Sequence, residues 1–128
     1  MAQRGSPIEF DPKLNTDRIT PELIAYITQK IVNQFHPYQI ILFGSHARGD
    51  AGPDSDLDLF IVQSGEGSNR QLRREIGLAL AGRSFGLDLI VRKPEEVTLN
   101  LEDRNPFYIY HLFGEGRILY EQSRTQPH

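Results

Sequence analysis

With 128 residues, 38% of them hydrophobic and 24% charged, the chain has the size and composition of one ordinary globular domain with a modest core. Its 14 basic and 17 acidic residues leave a net charge of −3 and a pI near 5.8, which argues against a general nucleic-acid binder. The lack of cysteine excludes a disulfide framework and a thiolate zinc site, and with no apolar run near ~18 residues and no signal-type start a cytoplasmic setting is expected.

Residues 1–18 mix Gly5, Pro7 and Pro12 with scattered charges and no sustained period. A flexible N-terminal arm is therefore expected, followed by a domain over 19–121 and a disordered tail over 122–128. Thr20-Pro21-Glu22 carries the N-cap, first-turn proline and first-turn acid that open a helix. Leu23, Ile27 and Ile31 recur every four residues, with Ile24, Val32 and Phe35 widening the stripe. Pro37 stops this helix and His36 reads as its C-terminal cap.

Gln39 to Phe43 is a first strand whose Ile40-Ile41-Leu42 run suits a position covered on both faces. A short helix is expected from Ser45, then a loop over Gly49 to Pro53 and a second strand from Asp56 to Val62. Ser68 and Gln71 form a capping box for a helix to about Ala81, with Leu72, Ile76, Ala79 and Leu80 spaced for burial. Arg70, Arg73 and Arg74 share its outer face, which reads as a solvated surface before it reads as a docking patch for an acidic partner. Gly82 breaks the helix and Phe85 to Val91 forms a third strand carrying Asp88. A short helical segment through Glu95, Glu96 and Val97 is expected to follow. Asn105-Pro106 then opens a helix through Phe107, Ile109, Tyr110 and Phe113, which Gly114 ends. Its aromatic residues read as core, not as a base-stacking platform, and Arg117 to Tyr120 suits a last short strand.

The stretch FGSHARGDAGPDSDLDLFIV, from Phe43 to Val62, concentrates the chemistry. Gly44 has no Cβ, so its backbone can meet a phosphate closely, and Ser45 adds an N–H and a hydroxyl at the start of a helix. Asp56 and Asp58 lie two apart on a strand, sharing one face at roughly 7 Å of chain rise, while Leu57, Leu59 and Ile61 face the other way. Carboxylates that close repel unless a cation separates them, and two magnesium ions about 3.5–4 Å apart are the usual solution for displacement at phosphorus. Arg48 reads either as a contact to a triphosphate or as a solvated arginine on its short helix, and His46 reads as a bystander. Asp88, between Leu87 and Leu89, is costly in an apolar strand unless something pairs with it.

The pattern Gly44-Ser45-x-x-Arg48-Gly49 followed by Ser55-Asp56-x-Asp58-Leu59 resembles the DNA polymerase β-type nucleotidyltransferase superfamily. Within it the chain is most similar to minimal nucleotidyltransferases, many of which are antitoxins beside HEPN-domain toxins. The resemblance implies an α/β (α+β) fold, a small mixed sheet with helices packed mainly on one face. It implies nucleotide binding by Gly44, Ser45, Arg48 and Ser55. Asp56, Asp58 and Asp88 become the catalytic, magnesium-holding carboxylates, with Asp88 as the third, placed to take the proton of an attacking hydroxyl. The implied reaction is magnesium-dependent transfer of AMP from ATP to a hydroxyl, a tyrosine of a HEPN-type ribonuclease toxin that is silenced by it. Larger relatives add a helical acceptor domain, for which 128 residues leave no room, so a partner is expected to present the hydroxyl. Two rivals stand beside this reading: an antitoxin that only occludes the toxin, and a small-molecule nucleotidyltransferase of the aminoglycoside-modifying kind.

Overall fold

The computed structural model describes residues 10–122. The elements run α1 (Pro21–Phe35), β1 (Gln39–Phe43), α2 (Ser45–Arg48), β2 (Leu57–Val62), α3 (Asn69–Ala79), β3 (Leu87–Arg92), α4 (Pro94–Glu102) and β4 (Arg117–Glu121). A 3-10 turn over Pro12–Leu14 precedes α1, and a π-type helical turn over Phe107–Leu112 precedes β4. The four strands form one sheet in the order β3-β2-β1-β4. β1 is antiparallel to both of its neighbours, and β2 runs parallel to β3 with α3 as the crossover that a parallel pair requires.

Side-chain alternation divides the sheet into two faces. Ile40, Leu42, Leu57, Leu59, Ile61, Leu89 and Val91 point to the larger core, where Leu23, Ile27 and Ile31 of α1 and Ile76 of α3 cover them. Ile41, Phe60 and Val62 point the other way, under Val97 of α4 and Tyr108 and Leu112 of the π-type turn. Helices thus lie mainly on one face, and a smaller second core closes part of the other. Asp58, which alternates with Leu57 and Leu59, belongs to this second face, at its less covered end.

The helix ends follow local chemistry. Thr20 accepts the Leu23 N–H at 3.1 Å, and His36 takes a left-handed conformation whose N–H reaches the Val32 carbonyl. Ser68 accepts the Gln71 N–H at 3.0 Å. The expected capping box is only half formed, because the Gln71 side chain pairs forward with Glu75. A carboxylate instead reaches back at α4, where Glu96 accepts the Lys93 N–H at 2.7 Å and stabilises a helix longer than the short segment expected there.

The expected N-terminal arm of residues 1–18 needs correction where it can be seen. Residues 1–9 and 123–128 lie outside the described residues. The chain is anchored at Asp11 and Leu14: Leu14 is fully buried in the larger core, and the Asp11 carboxylate accepts from the Tyr26 hydroxyl at 2.5 Å and the Lys30 ammonium at 3.0 Å. The Asp11 N–H donates to Ala81 O, and Ser84 N–H to Leu14 O, which stitches this segment to the α3–β3 connection. The local sequence shows no period because the contacts are long-range.

Candidate active site

β1 delivers the chain to a bend at Gly44, whose φ of 77° and ψ of −157° lie in a region essentially closed to other residues. The Gly44 carbonyl accepts from Ala47 N–H at 3.0 Å and Arg48 N–H at 3.1 Å. The N–H groups of Ser45 and His46 therefore lie ahead of the first bond of α2. A Cβ at Gly44 would overlap the Asp58 carboxylate. The bend and the carboxylate are thus in contact, which makes glycine necessary here for space as well as for conformation.

Asp58 is the second residue of β2, paired with Phe43 of β1 on one side and with Asp88 of β3 on the other. A parallel ladder puts residues so paired on the same face, one strand spacing apart. Asp56 stands just before β2, which begins at Leu57 and not at Asp56 as expected. Leu57 N–H donates to Gly86 O at 2.9 Å, and a Cβ at Gly86 would overlap the Asp56 carboxylate. Glycines at 44 and 86 therefore make room for the two acids of the Asp-x-Asp pair. Asp56 and Asp88 are exposed and Asp58 is half-buried. The expected cost of burying Asp88 does not arise, because β3 is an edge strand and leaves it open to solvent.

Burial pushes the Asp58 carboxyl up to about 6, with the charges of Asp88 and Asp56 adding to it, and Asp88 comes within hydrogen-bonding reach. The three acids are therefore one electrostatic unit. Hard carboxylate oxygens whose mutual repulsion a cation would relieve suit magnesium. Among the described residues, however, no three His, Cys, Asp or Glu side chains close into a ready cage. That agrees with the habit of magnesium, which takes one or two carboxylates and completes its shell with waters and substrate phosphates. The donor set fits the ion in that manner.

The remaining expected site residues are occupied within the protein. Arg48 lies 3.2 Å from Asp50 Oδ2 and 3.6 Å from Glu115 Oε1, so two acids already neutralise it. The Ser55 hydroxyl oxygen accepts Gly52 N–H at 2.9 Å and shapes the loop before Asp56. His46, expected to be a bystander, brings its Nε2 to 3.5 Å from the Ser55 carbonyl. Gly86 and Glu115 carry no local signal in the sequence, since each acts on a residue distant in the chain. Phe107, from the π-type turn, meets Phe43 edge to face at 5.5 Å and supports the strand end from which the bend departs.

The profile of the family described as "Polymerase beta, Nucleotidyltransferase" matches residues 26–125. Among solved structures, the chain is similar to a protein from Sulfolobus solfataricus described as a nucleotidyltransferase, with a TM-score of 0.55 and 22% identity over 80% of this chain and 81% of that one. It is also similar to a chain of a toxin–antitoxin crystal structure with AMP-PNP, with a TM-score of 0.46 and 17% identity over 78% of this chain and 75% of that one. No curated protein matches it. Among the described residues, no helix is long and apolar enough to cross a membrane. With the family profile spanning most of the length and the sheet carrying its acids at one end beside the glycine bend, the chain belongs to the polymerase β-type nucleotidyltransferases.

Proposed function

We propose that this chain transfers AMP from ATP to a hydroxyl presented by a partner protein, a tyrosine of a HEPN-type ribonuclease toxin, and so acts as its antitoxin. The observation that carries the reading is the grouping of Asp56, Asp58 and Asp88 at one end of the sheet, against the bend at Gly44. The backbone at Gly44 and Ser45 binds the distal phosphates. Asp56 and Asp58, joined by Asp88, would hold magnesium, which when bound neutralises charge on the phosphates. Asp88, exposed on its edge strand, takes the proton as the hydroxyl oxygen attacks the α-phosphorus. The bond to the bridging oxygen of the β-phosphate breaks and pyrophosphate leaves. Such a barrier is lowered mainly by placement and charge, the two things this site provides.

The described residues form one sheet with no second unit to shape an acceptor pocket. That supports an acceptor supplied from outside them. An antitoxin that only occludes its target has no need of three coupled carboxylates.

The test is incubation with magnesium and ATP labelled at the α-phosphate, with the co-expressed HEPN-type neighbour present. Label on the neighbour, none from γ-labelled ATP and none with Asp58→Asn is the expected result. A stable complex without label would reduce the chain to a binding antitoxin, and label on an aminoglycoside without a second protein would move it to small-molecule chemistry.

A further inference from the structure

The face that reads in sequence as a solvated charged surface is built differently. Arg70, Arg73 and Arg74 of α3 and Arg83 of the α3–β3 connection line one groove of about 600 Å3, with Leu87 and Leu89 of the edge strand β3 contributing apolar surface. Two of the four guanidiniums are held by backbone. Arg73 Nε donates to Leu89 O at 3.0 Å, and Arg83 donates to the Gly77 and Leu80 carbonyls at 3.1 Å each, at the end of α3. Arg70 and Arg74 are exposed and make no hydrogen bond among the described residues. Among those residues the ion pairs join Lys30, Arg48 and His111 to acids, and none involves the groove.

A chain of net charge −3 thus gathers four of its 14 basic residues in one place without a matching acid. Arg73 and Arg83 brace the fold through their bonds to backbone, but like charges three and four apart on a helix disfavour it, so Arg70 and Arg74 are not explained by stability. Asp88 lies between Leu87 and Leu89 and points to the opposite side of β3, so an occupant of the groove lies along the strand that carries the proposed acceptor base.

We infer that the groove docks a short acidic segment of the protein that bears the acceptor hydroxyl. This rests on the proposed transfer to a partner protein and adds the means by which that partner is aligned. Arginine forks pair bidentately with carboxylates, and the half-buried Leu87 accepts an apolar side chain interleaved with them. A protein segment fits better than a nucleic acid. A continuous polyanion running from the groove to Asp88 would meet the three carboxylates of the site, whereas a peptide can change from acidic to neutral before it arrives.

The test uses the full chain and a fluorescein-labelled peptide of about twelve residues containing Glu, Asp and Leu with one Tyr, read by anisotropy at about 50 mM and about 0.5 M NaCl. The wild type is expected to bind at low salt and release at high salt, and Arg70→Glu with Arg74→Glu to weaken binding roughly tenfold or more. Because neither side chain supports the fold, a fluorescent ATP analogue should bind the double variant as it binds the wild type. Undiminished peptide binding by the double variant, no binding by the wild type, or tighter binding of an RNA oligonucleotide of equal charge would overturn the proposal. Failure of the ATP analogue to bind the wild type would strike the transferase reading instead, and the peptide result would still stand.

Discussion

Asp58 and Asp88 face one another across the parallel β2–β3 ladder, on the side of the sheet that α4 only partly covers. Burial first, and then the charges of Asp88 and Asp56, hold the Asp58 carboxyl at about 6, well above the usual carboxylate range. The free protein therefore carries unrelieved burial and charge repulsion at the acidic cluster.

Their effect on stability has a definite sign. A carboxyl whose folded value lies above its unfolded one favours folding in full below the unfolded value and loses that contribution as pH rises through about 6. Asp58→Asn should therefore raise the melting temperature of the nucleotide-free protein at pH 7.5 and leave it nearly unchanged at pH 4. A relief on the order of 1 kcal/mol corresponds to roughly 4 °C for a domain of this size. The same variant should lose transfer activity by orders of magnitude, a trade of stability against function. Calorimetric melts at the two pH values check this, and a variant less stable at pH 7.5 would contradict it.

Gly44→Ala and Gly86→Ala separate two uses of glycine. At Gly44 an alanine meets both a forbidden backbone conformation and the Asp58 carboxylate, so activity and stability should fall together, stability by about 1–3 kcal/mol. At Gly86 the backbone is ordinary and the collision is with the exposed Asp56 side chain, which can move. Transfer should drop at least tenfold there, about 1.4 kcal/mol in barrier, with little change in urea midpoint. Equal stability losses at both positions would show that the distinction is wrong.

Leu14, fully buried although it precedes α1, predicts that the domain begins before the first long helix. Leu14→Ala should cost about 2–5 kcal/mol in urea unfolding, whereas truncation of a side chain in a loose arm would cost nothing measurable. Asp11 adds a pH signature. The Tyr26 hydroxyl, followed by Lys30, holds its carboxyl below the usual range. Its contribution is present above the unfolded value and is lost as pH falls through the folded one. Asp11→Asn should therefore flatten the acid limb of the stability profile.

What the sequence made legible was what acts locally. The caps at Thr20 and Ser68, the Gly44-Ser45 bend and the spacing of Asp56 and Asp58 each depend on neighbours a few residues away. The placement of Asp88 beside them was also expected, though for a partly mistaken reason, since β3 is an edge strand and leaves it exposed. What escaped was long-range: Leu14 under the sheet, Gly86 clearing space for Asp56, Glu115 drawing on Arg48, and Arg73 reaching across to Leu89. No periodicity records such contacts. The π-type turn over Phe107–Leu112 stands where an ordinary helix is expected, and its wider turn of more residues brings Tyr108 and Leu112, four apart, together into the second core.

Asp56 and Asp58 are proposed to gather a magnesium-bound triphosphate at the Gly44 bend. Titration calorimetry of ATP into the wild type and into Asp56→Asn/Asp58→Asn, each with magnesium and with EDTA, tests this directly. Saturable binding by the wild type that requires magnesium, and its loss in the double variant with the fold intact, is the predicted result. Equal, magnesium-independent binding by both proteins would contradict the account.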